Sequence, residues 1–170
     1  MPTISYYMTL NSPWTYLGSA RFADLAKKYG CSVDIKPAKY GVVFPQTGGL
    51  PLPKRAPARQ AYRLMELKRW REARGLPINI QPKHFPSDET PGTRLLIAAK
   101  LQGKDAHALA TEMGRAIWER EENLAEWDVL KAAAARDCER GLGVVHHVPY
   151  RSRSGLAARF HRSFSTRVDW

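Results

Sequence analysis

A serine–proline pair at positions 12 and 13, set between two different hydrophobic rhythms, leaves this chain few ways to fold. Before it, Ile4, Tyr6 and Met8 alternate with Ser5 and Tyr7, the period of a short strand. After it, Trp14, Leu17, Gly18, Arg21, Phe22, Leu25, Ala26 and Tyr29 recur mostly at helical spacing, which predicts a helix with these residues on its packed side. Ser12 is the expected N-cap and Pro13 the first helical residue, where the missing N–H of proline costs nothing. Gly30 is a natural stop, and Val33 and Ile35 then alternate with Ser32, Asp34 and Lys36 as a second strand. Strand, helix, strand at this spacing is a βαβ unit with parallel strands. The opening of the chain is α/β.

The tip of such a unit has a chemistry of its own. A helix N-terminus has unpaired N–H groups and a partial positive charge, so it stabilises an anion set against it. Ser12 adds a hydroxyl there, beside Trp14 and Tyr16. With no base nearby in sequence, that hydroxyl suits hydrogen-bond donation to a bound thiolate or oxyanion better than nucleophilic attack. Its other role, capping the helix, needs no ligand at all.

The S-P-W-T-Y-L-G run stands where thioredoxin-like proteins begin their first helix with C-x-x-C, and it resembles the 2-hydroxychromene-2-carboxylate isomerases and the related kappa-class glutathione transferases. The resemblance implies a thioredoxin-like fold with an all-helical insertion after the second strand, and glutathione as the cofactor, its sulfur facing Ser12. Cys31 and Cys138 are far apart in sequence and away from the tip, which argues against disulfide exchange there.

Residues 37–57 hold five prolines with Gly41, Gly48 and Gly49, and read as a shaped loop. Loops at the C-terminal ends of parallel strands are where α/β proteins bind ligands. The run F-P-Q-T-G-G-L-P-L-P-K-R resembles the loop that helps hold glutathione in that family. Many members carry asparagine where this chain has Gly49, so a backbone contact by Gly49 or Leu50 is what the resemblance leaves. From Ala58 to Arg74 the pattern is helical, with Ala61, Leu64, Met65 and Leu67 expected on the buried side. Arg59, Arg63, Glu66, Trp70 and Arg74 form the opposite stripe. By the resemblance, Arg59 stands where relatives often carry lysine. The implied glutathione-binding set is therefore Ser12, Pro13, Trp14, Gly49, Leu50 and Arg59, with Ser12 catalytic.

Further helices follow through Leu95–Leu101, Ala106–Ile117 and Leu124–Cys138, after a connector in which His84 is expected to be an exposed loop residue. These apolar stripes are core. The expected organisation is a βαβ half over residues 1–40, the loop over 41–57, the helical insertion over 58–138 and an Arg/Ser-rich basic tail over 139–170. The resemblance spans residues 3–138. After Gly141 the two strands and hairpin of the second thioredoxin half are missing or divergent, and Val148–Pro149 only echoes the family's Gly-Val-Pro segment. A shift of reading frame near Gly141 would produce such a tail.

The formal net charge of +11 invites a nucleic-acid reading, but no zinc-finger spacing, RNP motif or helix-turn-helix accompanies it. Basic surfaces equally serve anionic substrates. No metal site is expected, because His146 and His147 are adjacent and lack companions. No signal peptide or membrane span is legible, so a cytoplasmic protein is the expectation. The exposed sheet edge makes a homodimer a possible arrangement.

By resemblance, the expected activity is glutathione-dependent cis–trans isomerisation of a small aromatic conjugated keto acid or its chromene hemiketal, in aromatic compound breakdown. A kappa-like glutathione transferase and a non-catalytic binding remnant are the alternatives.

Overall fold

The computed structural model describes residues 1–139. Strand β1 (Thr3–Met8) leads into helix α1 (Pro13–Lys28) and then strand β2 (Ser32–Pro37). The strands pair in parallel, with Ile4 beside Val33, Tyr6 beside Ile35 and Met8 beside Pro37. Parallel neighbours require a crossover, which α1 supplies. Gly30, at φ +60°, makes the reversal from helix to strand that a side chain would oppose. The βαβ unit is as the sequence predicts.

The Pro/Gly-rich stretch differs from the expected loop. It contains a short helix, α2 (Tyr40–Thr47), and a 3₁₀ turn at Leu52–Lys54. Pro45 cannot donate to the Gly41 carbonyl one turn back, but Gly41 is exposed, so that carbonyl can turn to solvent. Gly48, left-handed at φ 72°, closes the helix. Four longer helices follow: α3 (Pro57–Arg74), α4 (Thr90–Leu101), α5 (Ala106–Trp118) and α6 (Trp127–Glu139).

Helix α5 is the hub. It packs on α1, α4, α6 and β2, and Leu109, Met113, Ala116, Ile117 and Trp118 are wholly buried. One continuous core runs from Met8, Leu10, Tyr16 and Ile35 through Leu67, Leu96 and Leu130. Two faces differ from the periodicity. On α1, Trp14, Leu25 and Tyr29 are exposed while Pro13, Tyr16, Leu17, Ser19 and Ala26 are buried. The buried stripe includes a polar residue, Ser19, whose hydroxyl is satisfied by the His107 ring at 3.2 Å and the Thr111 hydroxyl at 2.5 Å. On α3, Ala61 and Met65 are exposed and Leu67 alone is fully buried, because that helix packs along a narrow seam on α1. Trp70 is capped by the Arg74 guanidinium 5.2 Å from its ring, as a solvated face would be.

Asp137 is the core's electrostatic weak point. It is 1% exposed, and among the described residues its Oδ2 has no hydrogen-bond partner. Burial, then the charges of Asp105 and Glu112, push its carboxyl up to about 6 from 3.8. The folded state therefore holds a proton that the unfolded chain has released between those values. Stability falls as pH rises through that window and stays reduced above it. Asp137→Asn should flatten that slope and add on the order of 2 kcal/mol at pH 7. Urea midpoints across pH 4–8 measure it; parallel slopes for variant and wild type would refute the assignment.

No helix among the described residues is long and apolar enough to cross a membrane. The expectations for residues 140–170, including the second thioredoxin half, Val148–Pro149 and the paired histidines, lie outside the described residues.

Candidate functional site

The C-terminal end of β1 opens into a cleft of about 490 Å³. Its walls come from three parts of the chain. The β1–α1 turn gives Thr9, Asn11, Ser12, Pro13 and Trp14. Helix α2 and the residues after it give Tyr40, Gly41, Phe44, Leu52 and Arg55. Helix α3 and the following connector give Arg59, Tyr62, Arg63, Glu66, Phe85 and Glu89.

Ser12 has the extended backbone of an N-cap, and its Oγ accepts from the Thr15 N–H at 3.3 Å. An oxygen accepting that bond keeps its own O–H to donate elsewhere. Pro13 is buried beneath the tip and Trp14 is 40% exposed beside it. The turn is braced from the insertion side. The Glu89 carboxylate accepts from the Thr9 hydroxyl at 2.7 Å and from the Asn11 N–H at 3.0 Å. The Asn11 side chain donates to the Ser87 carbonyl at 2.9 Å and accepts from the Ser87 N–H at 3.2 Å. Behind the tip, the Tyr16 hydroxyl donates to Glu119, and burial, then that bond, hold the phenol well above its usual range. Tyr16 is a structural anchor that stays neutral.

Three cations reach the cleft. Arg55 donates from Nε to the Leu50 carbonyl at 2.8 Å. The Arg59 guanidinium sits 5.6 Å from the Tyr62 ring and that of Arg63 sits 5.3 Å from the Phe85 ring. Among the described residues, no carboxylate lies within ion-pair distance of any of the three. Burial, then the charge of Arg55, lower the pKa of Arg63. The cleft is thus cationic and aromatic at once.

The expected binding residues Ser12, Pro13, Trp14 and Arg59 meet here; Gly49 and Leu50 are not on the wall. The Leu50 side chain is exposed and its carbonyl is taken by Arg55. A Cβ at Gly49 would lie 2.5 Å from Cδ1 of Phe44, so an asparagine there would displace a ring that lines the cleft. Sequence reasoning missed Tyr40, Phe44, Phe85 and Glu89 as wall residues. The available signal was their proximity to glycine and proline in the two connectors. Among the described residues no group of three or more His, Cys, Asp or Glu side chains could hold a metal ion, and neither Cys31 nor Cys138 is at the tip.

A parallel βαβ unit with an anion-friendly helix tip and helices inserted beyond its second strand defines a thioredoxin-like protein with serine where dithiol members carry cysteine. The family model for the DSBA-like thioredoxin domain matches residues 3–137, and the chain belongs to that family. Among solved structures it is similar to a 2-hydroxychromene-2-carboxylate isomerase, at 18% identity and a TM-score of 0.57 over 80% of this chain and 66% of that one. It is also similar to a protein from Nitrosomonas europaea assigned as a protein disulfide isomerase, at 18% identity and a TM-score of 0.58 over 79% of this chain and 64% of that one. The chain spans just under two thirds of the length of each. These likenesses share the fold. No curated protein matches the chain in sequence.

Proposed function

We propose that this protein is a glutathione-dependent isomerase of the 2-hydroxychromene-2-carboxylate type. The observation that carries the reading is the pairing, in one cleft, of a serine-capped helix tip with Arg59, a cation that no carboxylate among the described residues neutralises.

The residues fit the cofactor. Glutathione is a thiol bearing two carboxylates and an ammonium group, and a cleft of about 490 Å³ is within the size range of small-molecule sites. Ser12 and the Trp14 N–H at the start of α1 would receive the thiolate, the Trp14 ring would flank it, and Arg59 would take a carboxylate. When bound, glutathione would supply a thiolate nucleophile suited to reversible addition to a conjugated carbonyl compound, the chemistry by which a double bond can be isomerised. The chain's part is to keep the thiol ionised near neutral pH, through the helix tip and one donated O–H. Pro13 and the Glu89 brace hold that donor in place. Disulfide exchange at this tip has no cysteine to proceed through.

Calorimetric titration with glutathione tests the reading. Saturable binding, with ultraviolet absorbance of a thiolate at a pH where free glutathione is a thiol, is the expected result. A folded chain that takes up no glutathione would refute it.

A further inference from the structure

We propose that Arg63, backed by Arg55, selects the second substrate by its carboxylate. This deepens the isomerase reading and, as a statement about reaction specificity, rests on it. A half-buried guanidinium without a counter-charge is unfavourable, and proteins ordinarily pair one. Arg63 is not paired among the described residues. Glu66, three residues further along α3, lines the same cleft yet is not within ion-pair distance. Glu89, the other carboxylate on the wall, is committed to Thr9 and Asn11.

Arg63 instead lies over the Phe85 ring, its guanidinium carbon 5.3 Å from the ring centre. Arg55 is steered by its bond to the Leu50 carbonyl and is near enough for its charge to bear on Arg63. Two like charges held at one wall, with no carboxylate among the described residues in ion-pair reach of either, suit an anion. A guanidinium fork matches the two oxygens of a carboxylate, and the aromatic side chains of Tyr62 and Phe85 line the same cleft. The ligand that relieves all of this is a planar conjugated acid, bound by its carboxylate at Arg63 while its double bond extends toward the helix tip. Arg63 is then a specificity residue, separate from the thiol-binding set.

The test uses cinnamate and its uncharged amide, cinnamamide, titrated into the full chain with and without glutathione. Cinnamate should bind more tightly than cinnamamide. Arg63→Gln should weaken cinnamate about ten- to a hundredfold, leaving cinnamamide and glutathione nearly unchanged. Arg63→Lys, which keeps the charge but loses the fork, should recover part of the difference. Thermal unfolding of each variant establishes that it is folded. If wild type does not discriminate the acid from the amide, or a folded Arg63→Gln keeps the wild-type ratio, the proposal fails. Should glutathione not bind while the Arg63-dependent preference persists, the isomerase reading fails and the carboxylate subsite stands. If glutathione binds and the preference is absent, the reverse holds.

Discussion

On the proposed function, Ser12→Ala is expected to lower glutathione-dependent turnover about a hundredfold, the scale of losing one donor aimed at a reacting anion. The same change removes the helix cap that Thr15 now donates to, which should cost about 1 kcal/mol of stability. The two effects can be separated. Ser12→Asp keeps an acceptor for Thr15 and suits the helix dipole, so its stability should return to that of the wild type. It offers no donor and sets a negative charge against the sulfur, so its turnover should be lower still. The ionisation of bound glutathione, followed by absorbance against pH, should move upward in both variants. A folded Ser12→Ala protein with wild-type turnover would leave Ser12 as a cap and nothing more.

The largest loss of stability is expected at Trp118. Its side chain is wholly buried at the end of α5, and its ring packs against Phe85 at 4.9 Å between centroids. Trp118→Ala should cost about 3–5 kcal/mol, through lost burial and the cavity left behind. Among the described residues the indole Nε1 has no hydrogen-bond partner, so part of what tryptophan contributes is already offset. Trp118→Phe should therefore cost much less, about 1–2 kcal/mol, since it removes volume and an unmet donor together. Urea unfolding would measure both. A shift in midpoint with an unchanged slope is the expected form, because the surface exposed on unfolding stays nearly the same. Equal destabilisation by Ala and Phe would show that the indole nitrogen matters after all. Because Phe85 is also the platform under Arg63, Trp118→Ala should loosen the cleft as well as the core.

How much of this could be read from the chain alone depends on the range of the interactions involved. The βαβ unit was legible because its signals are local: alternation in the strands, a serine–proline start, a glycine stop. Ser12 and Pro13 are placed by the same local rules, and Arg59 by its position near the start of α3. The burial of Ser19 was not legible, since a hydroxyl goes inside only when something distant receives it, here His107 and Thr111. The exposed Met65 and half-buried Arg63 were misjudged for a related reason. On a helix crowded with charge, periodicity gives a stripe but not which neighbour will cover it. The short α2 was hidden by Pro45, whose lost hydrogen bond is tolerable where the orphaned carbonyl is exposed. Glu89 and Phe85 lie on a connector that reads as proline-punctuated loop, and only the folded chain brings them beside residues 9–14.

That last juxtaposition bears on how the protein can be made or cut. The tie between Asn11 and Ser87, with Glu89 gripping Thr9 and the Asn11 amide, joins segments that are nearly 80 residues apart along the chain. A nascent polypeptide emerging from the ribosome has the serine tip long before it has the residues that brace it. The first 40 residues expressed alone would carry the motif without its geometry, and a protease nick near Ser87 would dismantle the tip without touching it. The geometry of the tip is acquired only when residues 87–89 reach it, about halfway along the 170-residue chain.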